Sequence, residues 1–445
     1  MGLKRRIYFV LASAISLAFA ALMYGTYKYP VWDTTVYLSN ANYFLTGAGY
    51  FEILRAPLLP LMIAAMPRGL ENFLAPLFIV LFLVSVYFIG SELFDRKTGI
   101  LASVLVAATP LFILWSPRVL TDVPAAAFTV IAFIFLNRAL KSPKNLYAFA
   151  LFSSLAFLTR YPAAIIFPIG MLYYLARKKA RMFLEKETYF SAAAFALPIL
   201  LWLFWNFKNF GGPFFSILEG IMIVNASALS PKFYYLTSFY ETFSLLALPA
   251  IISVVAGIMQ IRKYKQNALL LLWLLAGYAA LSLLAHKEAR YIMFLLPAFG
   301  ILIASQAIRT RARNFVLPAL LVLALLSAYH GYGEVRKAQT GEICNENIIE
   351  SAKFVSQGGN HVMSSYPPIV SYYSGVVGEA FPAAESWLAS RVKEKNITYV
   401  LASDGGDAPE WAKSREYFEK LNYLKFEKEF KGPCQTIWAF RVVGA

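Results

Sequence analysis

Through its first 330 residues the sequence returns again and again to long apolar runs closed by short polar turns, and this rhythm limits the possible folds more than any single motif. Crossing a hydrocarbon layer of roughly 30 Å takes about 20 residues as a helix, and helices are the open-chain way to satisfy backbone polar groups there. Full crossings are predicted over 7–27, 73–94, 99–115, 123–140, 189–207, 242–261, 268–285, 291–308 and 315–330. Two shorter runs, 146–158 and 163–175, are joined by Thr159-Arg160-Tyr161-Pro162. Pro162 disfavours helix at Tyr161, so a hairpin of two helices is expected there. With that pair the chain reads as a polytopic α-helical membrane protein of about eleven transmembrane helices. Hydrophobic residues make up 59% of it and charged residues only 15%, outside the range of a soluble protein of 445 residues.

The formal charge is +16, which in a soluble protein would point to nucleic acid. Its distribution points elsewhere. The turns on one side of the expected spans carry 19 Lys and Arg against 4 acids, those on the other side 9 against 7, and the tail after Gly331 carries 13 against 14. An excess confined to one side is the positive-inside pattern, so topology explains the high charge and nucleic acid is not an expected partner. Lys4, Arg5 and Arg6 ahead of the first run place the N-terminus inside the plasma membrane and the C-terminus outside.

Two domains follow: a transmembrane domain over 1–330, with its first external loop at 29–60, and an extracytoplasmic domain over 331–445. The tail alternates helical stretches at 345–357, 385–395 and 409–421 with β-rich runs at 361–364, 398–402, 424–430 and 436–442, the pattern of a small α/β domain. Both cysteines, Cys344 and Cys434, fall near its ends. They are read either as a disulfide closing the domain or as two separate buried thiols.

Charge at membrane depth costs about 2.5 to 3.5 kcal/mol per residue, so charged groups in or beside spans are candidates for function. Asp33, Arg55, Arg118, Asp122, Arg160, His286, Lys287, Glu288 and Arg290 all map to the outer loops or span ends, and the inner side offers mainly basic turns. Cations around a carboxylate, above an apolar bundle, suit an anionic lipid head group. Arg and Lys would hold its phosphate, and an Asp would deprotonate or orient an incoming hydroxyl or amine. Asp33 also has good helix-capping chemistry, and the dense patch at 286–290 can equally be a solvated loop.

Several stretches together resemble the C-type membrane glycosyltransferases, in the branch of the dolichyl-phosphate-mannose protein mannosyltransferases and aminoarabinose transferases. They are WDTTVYLSNANYFLTG at 32–47, RAPLLPLMIA at 55–64, the run from LFDRK to SPRVLTDVP within 93–136, FLTRYPAAIIFPIG at 157–170, NFGGPF at 209–214 and KEARYIMFLLP at 287–297. The resemblance implies transfer of a sugar from a polyprenyl-phosphate donor to an acceptor at the outer membrane face. It implies Asp33 as base or acceptor-orienting residue, Asp122 as the second catalytic acid with Arg118 just before it, and Arg55, His286, Lys287 and Arg290 as donor-phosphate ligands.

Two departures stand out. The first loop reads Asp-Thr-Thr where many relatives have a carboxylate pair, and Ala56-Pro57-Leu58-Leu59-Pro60 lacks the usual tyrosine. Some relatives bind a divalent cation near these acids; Asp33, Asp122 and Glu288 are the candidates for one here. The reading is an inverting glycosyltransferase with Asp33 as base and a phosphate clamp that includes Arg160. Its acceptor is a protein, lipid or glycan. The alternative is a secondary transporter or lipid flippase, which should place ionisable groups near the midplane and show internal repeats, and neither is found.

Overall fold

A computed structural model describes residues 3–29, 32–226, 230–358, 361–406 and 408–443. Pro30 and Val31 of the expected external loop, and the side chains of Lys4 and Arg5, lie outside the described residues. Among the described residues seven helices are long and apolar enough to cross a membrane, at Arg6–Met23, Glu71–Leu93, Asp122–Ala139, Lys186–Phe210, Phe239–Met259, Ala289–Arg309 and Arg313–Val355. They coincide with seven of the expected spans.

The other four expected spans are shorter or broken. The run at 99–115 is two helices, Arg96–Ala107 and Pro110–Trp115, because Thr109 is extended and Pro110 starts a new first turn. Asn145–Thr159, Ile166–Lys178 and Asn267–Ser282 are helical but fall short of a full crossing. The turn expected at Tyr161 lies one residue earlier. Arg160 is extended, Tyr161–Ile165 is a 3-10 turn, and Pro162 occupies a first-turn position where an N–H would be unpaired in any case.

The chain divides into two compact units, one of 1–26, 53–59 and 68–335, the other of 27–52, 60–67 and 336–445. The first is a helical bundle with Phe82, Phe112, Phe133, Phe149 and Trp273 fully buried. In an apolar solvent helices associate through close packing, which favours small residues at contacts. The helices Leu74–Leu93 and Arg96–Ala107 accordingly meet at Gly90 and Gly99, where a Cβ on Gly90 would stand 2.9 Å from the Gly99 Cα.

The second unit contains a five-stranded sheet in the order β2-β1-β3-β5-β4, with β1 His361–Ser364, β2 Val377–Glu379, β3 Tyr399–Ser403, β4 Leu424–Lys431 and β5 Thr436–Val442. The first three strands are parallel and β5 runs antiparallel between β3 and β4. Each face carries its own apolar core, one around Met363, Leu388, Val400, Phe418 and Phe440, the other around Ile348, Val355, Val362, Leu401 and Ile437. Cys344 and Cys434 form a disulfide with Cα atoms 5.3 Å apart. The helix Trp32–Thr46 belongs to this unit and packs on the helix Pro367–Ser374.

Candidate active site

Asp122 opens the helix Asp122–Ala139, where a carboxylate is favoured by the N-terminal dipole and Pro124 fits the first turn. Its side chain is only 1% exposed and lies 3.0 Å from Arg160 Nη1 and 3.9 Å from Arg290 Nη1. Arg160 is aimed by its extended backbone between the helix Asn145–Thr159 and the following 3-10 turn. Its Nη1 also donates to Thr121 Oγ1 at 2.9 Å, and its guanidinium lies over the Tyr291 ring at 4.3 Å.

Arg290 starts from a second 3-10 segment, Ala289–Leu295. It makes a two-point contact with Glu288, Nε to Oε2 at 2.6 Å and Nη2 to Oε1 at 3.0 Å. Glu288 Oε1 also accepts from the Tyr291 hydroxyl at 3.1 Å and lies 3.3 Å from His286 Nε2. Arg290 and Arg118 share the indole of Trp115, at 5.0 and 4.7 Å from its ring. Five charged side chains and two aromatic rings thus form one continuous set. The set joins three arginines to two acids, and guanidinium groups are suited to hold an anionic oxygen through paired hydrogen bonds.

Lys287 is buried, and its backbone exchanges hydrogen bonds with Ser230 Oγ, which fixes the loop that carries His286 and Glu288. Arg55 lies on the short segment 53–59 of the same unit, and its carbonyl accepts from the Tyr161 hydroxyl at 3.4 Å. Asp33 sits in the first turn of Trp32–Thr46 in the other unit, half-buried, with Thr34 to Tyr37 buried after it. The structure therefore gathers Asp122, Arg118, Arg160, His286, Glu288 and Arg290, holds Arg55 and Lys287 by their backbones, and describes Asp33 with a separate unit. Among the described residues no three His, Cys, Asp or Glu side chains gather to hold a metal ion.

Sequence reasoning missed Trp115, Thr121, Tyr161 and Tyr291, whose positions beside Arg118, Asp122, Arg160 and Arg290 were the available signal. It also missed Tyr235, a buried residue whose hydroxyl pKa burial pushes up, so that it stays neutral.

The chain has the fold of the C-type membrane glycosyltransferases. Residues 71–205, which include Arg118, Asp122 and Arg160, match the model of the dolichyl-phosphate-mannose-protein mannosyltransferase family. No curated relative matches the sequence. Among solved structures the chain is similar to ArnT from Cupriavidus metallidurans bound to undecaprenyl phosphate, at 13% identity, 97% coverage of each chain and a TM-score of 0.73. It is also similar to the oligosaccharyltransferase AglB from Archaeoglobus fulgidus in complex with an inhibitory peptide and a dolichol-phosphate. There the identity is 13%, the coverage 90% of this chain and 70% of that one, and the TM-score 0.62. The arabinofuranosyltransferase AftD from Mycobacteria matches all of this chain over 40% of its own, at 13% identity and a TM-score of 0.59. The resemblance drawn from the sequence is borne out.

Proposed function

We propose that the protein transfers a sugar from a polyprenyl-phosphate donor to a protein, lipid or glycan acceptor at the outer membrane face, with inversion at the anomeric carbon. The observation that carries this reading is the pair Arg160 and Arg290, whose side chains are 16% and 11% exposed, held by Asp122 and Glu288 with Arg118 on the shared Trp115 ring. Preorganised guanidinium groups stabilise a leaving phosphate because their alignment costs nothing at the moment of reaction. The relatives of known structure support the donor class, since ArnT was solved with undecaprenyl phosphate and AglB with a dolichol-phosphate.

In the reaction the acceptor oxygen or nitrogen attacks the anomeric carbon from the face opposite the phosphate. The bond from that carbon to the phosphate oxygen breaks, and the electron pair leaves with the polyprenyl phosphate. Asp33 accepts the acceptor's proton. Arg160 and Arg290, with Arg118, Arg55, His286 and Lys287, take the charge that develops on the departing phosphate, and Asp122 acts as the buried counter-ion that orients the first two.

Two measurements test the reading. Mass spectrometry of the lipid that copurifies with the protein should find a polyprenyl phosphate or its sugar. Asp33→Asn should fold as the wild type and lower transfer from a polyprenyl-phosphate sugar by at least about 100-fold, in the range expected for loss of a general base. Undiminished transfer would remove Asp33 from the role of base, and lipid flipping in vesicles without a glycosidic product would favour the transporter reading.

A further inference from the structure

The Tyr161 hydroxyl stands at a junction of three elements and is not itself a group the proposed chemistry consumes. Trp202 Nε1, from the helix Lys186–Phe210, donates to it at 3.1 Å. Ser216 Oγ, from the first turn of Phe215–Ala226, lies 3.3 Å away, and the Arg55 carbonyl 3.4 Å away. A phenol has one proton to give and two lone pairs to offer. One assignment satisfies all four groups: the indole and the serine donate to Tyr161, and Tyr161 gives its only proton to the carbonyl of Arg55.

The surroundings make that bond an anchor. Ser216 is fully buried, and its N–H donates to Asn206 Oδ1, while Asn206 Nδ2 donates to the carbonyl of Trp202. Gly220, one turn further along, faces the same segment, since a Cβ there would meet the Leu54 carbonyl at 3.4 Å. On its other side Tyr161 is bonded to Arg160, which is fixed by Asp122 and Thr121. The Arg160-Tyr161 pair therefore ties one cation by its side chain and another by its backbone.

We propose that Tyr161 is a positioning residue that holds Arg55 for the donor phosphate by fixing its carbonyl, an inference that rests on the donor reading above. The hydroxyl acts through the backbone, so its removal loosens one phosphate ligand and leaves the Asp122 set in place.

The test is a double-mutant cycle on the full-length protein in detergent, read as the equilibrium affinity for undecaprenyl phosphate. Tyr161→Phe should weaken binding by about fivefold, the worth of one hydrogen bond, and should add nothing measurable to Arg55→Gln. Trp202→Phe serves as the second variant. It removes a hydrogen bond from the same hydroxyl but leaves the one to Arg55, so it should lower thermal stability and keep the affinity within about twofold of wild type. Additive losses in the cycle, equal losses in Tyr161→Phe and Trp202→Phe, or full affinity in Tyr161→Phe would each overturn the positioning role. Wild-type protein that binds neither undecaprenyl nor dolichyl phosphate would instead overturn the donor reading itself.

Discussion

Replacing Asp122 by Asn keeps the shape of the side chain and removes its charge, which isolates the electrostatic role of this residue. In the wild type the carboxylate is 1% exposed and faces Arg160 at 3.0 Å and Arg290 at 3.9 Å, which are themselves only 16% and 11% exposed. Removing one member of a buried ion pair costs about 3 to 5 kcal/mol, because the remaining charge stays desolvated without its partner. Both arginines keep other partners: Arg290 its two-point contact with Glu288, and Arg160 the Thr121 Oγ1 and the Tyr291 ring. The low end of the range, about 3 kcal/mol, is therefore expected, shared between stability and the alignment of Arg160. With about 2 kcal/mol of this falling on alignment, transfer from a polyprenyl-phosphate sugar drops about 30-fold in kcat/KM at about 1.4 kcal/mol per tenfold. The matching change at Glu288, whose side chain is 30% exposed, should be milder, at about tenfold, because water screens what the carboxylate leaves behind. The assay is transfer to acceptor in detergent, with a melting curve for each variant. Asp122→Asn within twofold of wild type in both measurements would refute the reasoning, as would a larger loss for Glu288→Gln.

Two other outcomes concern the second unit. Reducing Cys344–Cys434 opens a loop with a sequence separation of 90 and should lower the stability of that unit by about 4 kcal/mol, seen as earlier melting of the reduced protein. Ordinary thiol modification of the unreduced protein should label neither cysteine. Alkaline titration gives the second. Burial raises the hydroxyl pKa of Tyr366, Tyr373, Tyr399 and Tyr423, and burial together with the charge of Glu385 pushes Tyr417 up to about 12. Groups whose pKa is raised by folding contribute stability that is complete below the unfolded value near 10 and is lost as pH rises through the folded value. The unit should therefore weaken from pH 10 to 12, with tyrosinate absorbance rising together with loss of structure. Full ionisation of these tyrosines at pH 10 in folded protein would contradict it.

Much of the fold was legible because its signals are local. A run of about 20 apolar residues identifies a span by itself, and the basic turns lie beside the runs they orient. Four strands of the second unit were readable for the same reason, since alternation and β-branched content are properties of short windows. The helix Pro367–Ser374 and the strand Val377–Glu379 were not. The helix starts on two prolines and is rich in serine and tyrosine, and the strand is three residues long, so neither offers a period to read.

The same division holds for the candidate site. Which residues carry charge near the ends of the spans was plain from the sequence, and so was the family they resemble. That Arg160 pairs with Asp122, that Arg290 grips Glu288 at two points while facing Asp122, and that Trp115 lies under two arginines were decided only by tertiary packing. The sequence by itself determined a helical bundle of long apolar runs and an α/β tail, because hydrophobicity acts residue by residue. Pairing depends on which helix ends meet, and that geometry is a property of the packed bundle, in which residues far apart along the chain become neighbours and burial makes their charges count.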